Sequence, residues 1–185
     1  YNQPCRSARQ YILQAARQLN MNVVPEGGMA FWWNLNQIMD GHTTIEHALP
    51  VAPLYDDVVQ LFATSGTAWT PTFIVNYGGI FGERYWYQHT NVWENARLAR
   101  FVPDDVVQPI TMRRTAATDP DYHHFVTSQS AKLVDDAGGL LNAGAHGEMQ
   151  GIGIHWELKM FTQGGMSNYN AMRTATSNPA KSHGL

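Results

Sequence analysis

The chain has 185 residues, enough for one domain with a sizeable core. With 44% hydrophobic and 15% charged residues it is globular in composition, and a net charge of −3 gives no electrostatic reason to expect nucleic acid as a partner. The single cysteine, Cys5, excludes an internal disulfide and a cysteine-based zinc cluster, and the apolar runs are too short to span a bilayer, so no membrane partner is expected.

The opening, Tyr1-Asn2-Gln3-Pro4, is neither an initiator methionine nor a signal peptide, and it reads as a cut from something longer. Ser7 to Asn20 has Ala8, Tyr11, Ile12, Ala15, Ala16 and Leu19 on one face, the spacing of an amphipathic helix. Met21 to Val24, closed by Pro25-Glu26-Gly27-Gly28, reads as a buried strand. A helix over Phe31 to Met39 stops at Asp40-Gly41, and a strand over Thr43 to Glu46 ends at His47. Leu54 to Thr64 is helical by pattern, and Thr67 to Val75 is a third strand, rich in β-branched and aromatic residues. Residues 76–120 read as a long, irregular, aromatic-rich insertion with a helix near Asn91 to Phe101. Asp121 to Ala137 is a helix, Leu140 to Ala145 a fourth strand, and His155 to Gln163 a further helix. Ser167 then caps a last helix reaching Thr176, and Asn178 to Leu185 stops at no natural cap or tail. This αβ alternation implies parallel strands joined by crossover helices.

Several segments resemble one enzyme family. Gly41-His42-Thr43-Thr44-Ile45-Glu46-His47 is similar to the aG-x-x-x-IEH segment at strand six of amidohydrolases related to imidazolonepropionase. Gly164-Gly165-Met166-Ser167, Ala171 to Thr176 and Asn178-Pro179-Ala180 resemble their GGMTP-x-EAL-x-x-AT-x-NPA ending. Ala143 to Glu148 stands where that family has its strand-eight metal motif. Val23 to Gly28 and Gly151 to Leu158 look like one subgroup, whose members tend to be large exported proteins with a β-propeller before the barrel. The resemblance implies a TIM-type (β/α)₈ barrel, with this α/β chain (residues 1–185) supplying only its second half, strands five to eight. The family's strand-one His-x-His pair and its strand-four Lys or Glu are absent, so a complete enzyme needs them from elsewhere.

In such a barrel the active site lies at the C-terminal strand ends, here Glu26, His47, Thr70 to Asn76 and His146. The sequence also holds eight His against three Lys, which suits metal or proton chemistry near neutral pH. By the resemblance His47 is a metal ligand. Glu26 stands in place of the family's strand-five histidine, either as a ligand or as an anion at the following helix N-terminus. His146 stands in place of an aspartate. It can ligate or act as a base but brings no negative charge, which Glu148 is expected to supply. His42 is expected to be structural, as are His155 and Glu157, while His123 and His124 are expected at the surface or as a helix cap.

These readings lead to a metal-dependent hydrolase of C–N bonds in an amide, cyclic amide or dipeptide. The cation would be zinc, with manganese or iron as alternatives. Glu26, His47 and His146 would be the metal ligands, and His146 and Glu148 the catalytic groups. The partner would be a small amide or peptide-like substrate, with the aromatic stretch from Tyr77 to Trp93 as a lid or an interface. The alternative is a non-catalytic barrel piece acting through self-association or with the missing N-terminal half, driven by uncovered strand edges and residues such as Val23, Ile45 and Ile74.

Overall fold

The computed structural model describes residues 5–185, so Tyr1 to Pro4, with the cut end read there, lie outside the described residues. Helix α1, Arg6–Gln18, buries Leu13 and Ala16 against Val23. Helices α2, Phe31–Asp40, and α3, Asp56–Ser65, end at Gly41 and Gly66, whose φ of 89° and 75° is left-handed. Glycine reaches that conformation without a Cβ clash and lets the chain turn sharply. Between and after these two helices run strands β1, Thr44–Glu46, and β2, Ala68–Thr70, paired in parallel with Ile45 opposite Trp69.

The remaining helices are α4, Gly82–His89; α5, Ala96–Phe101; α6, Asp104–Met112; α7, His124–Asp136; α8, Gly153–Gln163; α9, Asn168–Thr174; and α10, Ser177–His183. Ser167 caps α9 as expected, its hydroxyl accepting from the Asn170 N–H at 3.1 Å. Trp69 is the centre of the core, stacked on Phe62 of α3 at 5.2 Å, while Phe73 meets Phe161 of α8 edge-on at 4.7 Å.

The expected half of a TIM-type barrel with four strands is not what the chain forms. Among the described residues it is mainly helical, with ten α-helices and one parallel sheet of two three-residue strands. The first expected strand contributes a single bridge, Glu26 to Glu46, and the fourth another, Trp69 to Leu141. Physical causes are local. Pro25 has no N–H to donate to a ladder. On the other side the Ala143 N–H donates to the Thr174 carbonyl at 2.8 Å and Asn178 Nδ2 to the Leu141 carbonyl at 2.9 Å, so helix ends and a side chain replace a strand partner. The third strand stops at Thr70 rather than Val75, because Thr72 has φ 52° and Phe73–Val75 winds into a 3₁₀ turn.

Two further expectations change. Residues 76–120 are not mostly irregular: they hold α4, α5 and α6, the last tolerating Pro109 within it. The single terminal helix is two, α9 and α10. Val23, Ile45 and Ile74, expected to be uncovered, are 8%, 0% and 0% exposed. The closure comes from α10: Asn142 Nδ2 donates to Ser182 Oγ at 3.0 Å and Asn22 Nδ2 to the Ser182 carbonyl at 3.4 Å.

Candidate functional site

The parallel segments bring their C-terminal ends to one place. Glu26 arrives there because Gly27 lies hard against β1: its N–H donates to the Glu46 carbonyl at 3.1 Å, and a Cβ at Gly27 would fall 2.1 Å from that oxygen. His47 follows β1 directly and is 9% exposed. Its carbonyl accepts from the Trp69 indole Nε1 at 2.9 Å, which ties the residue to the core. His146 follows the Leu141 segment and is exposed.

Three of the sequence-predicted residues meet. His47 Nε2 lies 3.7 Å from Glu26 Oε1, and the His47 and His146 rings stand 5.1 Å apart at 63°. His146 Nδ1 is 3.2 Å from Glu148 Oε1, so the fourth candidate joins through His146. The Tyr77 ring lies 5.7 Å from that of His47. Tyr77 and Glu46 are members that the sequence did not single out. Tyr77 was one aromatic among many in its stretch, and Glu46 was visible only as part of the Ile45-Glu46-His47 motif.

Backbone conformation marks the same place. His47 has φ 72°, Thr72 52° and His146 54°, a region that side chains with a Cβ rarely occupy. Each such residue costs about 1–3 kcal/mol and persists only where its surroundings hold it, a pattern common at functional sites. Here the three follow β1, β2 and the Leu141 segment.

Burial holds the His47 imidazole below its usual pKa, and neighbouring His146 adds to this, while Glu26 and Glu46 pull the other way. The ring is therefore neutral near neutral pH and presents a lone pair. Burial likewise raises the Tyr77 phenol, with Glu26 adding to the effect, so it stays a hydrogen-bond donor. Deeper in, burial raises the Glu83 carboxyl, which Arg84 opposes at 3.6 Å and Glu148 reinforces.

The other histidines divide. His42 is structural as expected, buried with Nδ1 2.8 Å from the Gln37 carbonyl. His123 is exposed, but His124 is fully buried rather than at the surface, with Nε2 3.2 Å from Gln163 Oε1. Glu157 is structural and fully buried, accepting from the Ile74 N–H at 3.0 Å, while His155 is exposed.

The expectation of a ready metal-binding centre is corrected. Among the described residues no group of three or more His, Cys, Asp or Glu is placed to hold a metal ion. Glu26 lies against a His47 nitrogen and Glu148 against one of His146, so each carboxylate faces an imidazole instead of a shared point. A partial fit remains, because His47 Nδ1 is buried without a hydrogen-bond partner. No protein-family model matches the chain, and no curated protein matches it either.

Proposed function

We propose that the cluster of His47, His146, Glu26 and Glu148 is part of a centre for metal-dependent hydrolysis of a C–N bond in an amide, cyclic amide or dipeptide. The observation that carries this reading is the meeting of His47 and His146, 5.1 Å apart, each on left-handed backbone. Two strained histidines brought together from residues 47 and 146 are hard to account for by packing alone.

The roles follow from the chemistry of each group. Neutral His47 offers a nitrogen as a ligand or a proton acceptor, and Glu26 beside it stabilises the imidazolium once a proton is taken. Glu148 holds His146 Nδ1 and leaves Nε2 for a ligand or a proton. The Tyr77 hydroxyl, protonated, can donate to an oxyanion. A divalent cation, zinc in the first instance, would polarise the scissile carbonyl and acidify a bound water when held there. His47 and His146 would hold it, with Glu26 turning to join them, and any further ligand comes from groups other than these three.

The test is calorimetric titration of the chain with zinc, then manganese and iron(II), followed by assays against amides, N-acyl amino acids and dipeptides. Zinc is expected to bind and to weaken at least about tenfold in His47→Ala and in His146→Ala. The chain with zinc alone is expected to show no turnover, because it lacks the strand-one His-x-His pair and the strand-four Lys or Glu of the family it resembles. Binding that is absent for all three metals, or equal in the variants, overturns the metal reading.

A further inference from the structure

A cavity of about 560 Å³ opens between α4, α5 and α8, apart from the histidine cluster. That volume is in the range of small-molecule sites. Its walls are mostly apolar: Leu98, Val102 and Ile152 face it, with Trp86 and Trp156 stacked in parallel 6.0 Å apart. Thr90, Asn91, Asn95 and Gln150 add neutral polar groups, and the two charged residues, Arg97 and Lys159, are both cationic. Arg97, Lys159 and His155 are exposed and line it, and no Asp or Glu does.

That bias stands out in a chain of net charge −3. Neither Arg97 nor Lys159 forms an ion pair among the described residues, so their charges are uncommitted. The Trp86 indole Nε1 is buried with no acceptor.

We infer that this cavity binds a small amphipathic monocarboxylate, with its apolar body against the two indoles and its carboxylate on Arg97 and Lys159. Guanidinium takes a carboxylate through two parallel hydrogen bonds, which favours this head group over a neutral one. The site is independent of the hydrolase reading, since it shares none of His47, His146, Glu26 or Glu148.

The probe is decanoate, titrated calorimetrically into the full chain, with decan-1-ol and decylamine as neutral and cationic counterparts of equal chain length. Decanoate is expected to bind saturably and at least about tenfold more tightly than decylamine, with a blue shift in tryptophan emission as the indoles dry. Arg97→Gln with Lys159→Gln, both at exposed positions, is expected to weaken decanoate at least about tenfold. Trp86→Phe should weaken it further, and Lys132→Gln, which is outside the cavity, should change nothing. Non-saturable binding, equal binding of the three probes, or an unchanged affinity in the double variant overturns the inference.

Discussion

The imidazoles of His47 and His146 stand 5.1 Å apart although both residues occupy backbone that a glycine would adopt more readily. The strained backbone and the close pair of rings thus coincide at the same two residues. The consequence is a separation between what suits stability and what suits chemistry at these positions.

His146→Gly should therefore raise stability. Its side chain is 47% exposed, so little packing is lost, and a left-handed non-glycine residue costs about 1–2 kcal/mol. Part of that gain is offset by the extra chain entropy of glycine in the unfolded state. Urea denaturation should show a gain of up to about 1 kcal/mol, together with loss of zinc affinity. A clear loss of stability would mean that the backbone at residue 146 is not strained.

Gly27→Ala should do the opposite. The added Cβ meets the Glu46 carbonyl at 2.1 Å, so the segment must withdraw and break the 3.1 Å hydrogen bond from Gly27 to that oxygen. A cost of about 2–4 kcal/mol is expected from overpacking with a lost buried hydrogen bond. Denaturation would measure it, and Glu26 would move away from His47 with the segment. A variant as stable as the parent would show that the close approach is not needed.

Glu157 gives the chain a pH dependence between about pH 4.5 and 8. Burial pushes its carboxyl up to about 8, against hydrogen bonds from the Ile74 and Phe73 N–H groups. The folded state thus keeps a proton that the unfolded state releases above its ordinary value near 4.5. Stability from this group is fully present below about pH 4.5 and falls, by a few kcal/mol, as pH rises toward about 8. Glu157→Gln cannot ionise and should remove this slope, so it should gain on the parent as pH rises from 5 to 9. Parallel stability curves for the two would place the proton elsewhere.

His124 acts on the acid side. Burial lowers it to about 4, and its hydrogen bond to Gln163 only partly opposes this. The unfolded state takes up a proton at about 6.5 that the folded state refuses until about 4. Stability is therefore full above about 6.5 and should drop by about 3 kcal/mol by pH 4. His124→Gln should flatten this limb in denaturation measured from pH 7 to 4, and an unchanged acid limb would rule the assignment out.

Much of the cluster was legible because strand ends are marked in sequence. Pro-Gly punctuation set the end of the Glu26 segment, and the short β-branched run before His47 set another. The extents of helices α1 to α3 were equally readable, but the buried face of α1 was not: Tyr11, Ile12 and Leu19 are exposed, and Arg9 and Leu13 are buried instead. The strand count was not, since a run with strand composition does not reveal whether its backbone groups pair with a strand or with Thr174 and Asn178. His124 was misplaced for a related reason. Adjacent residues point apart, and nothing local says that His123 faces water while His124 faces Gln163. Tyr77 joins the cluster only through tertiary packing, which the aromatic-rich stretch around it hides.

Ser182 ties Asn142 and Asn22 at once, and the second contact spans 160 residues of chain. During synthesis from the N-terminus, Asn22 therefore waits for 160 further residues before its partner exists. Until then the backbone groups of the Leu141 segment lack Thr174 and Asn178 and remain open to pairing with another chain. Contacts of such separation carry a loop-closure cost before they return any stability, which slows folding. Helices α9 and α10 thus cover backbone groups of segments that precede them by tens of residues or more.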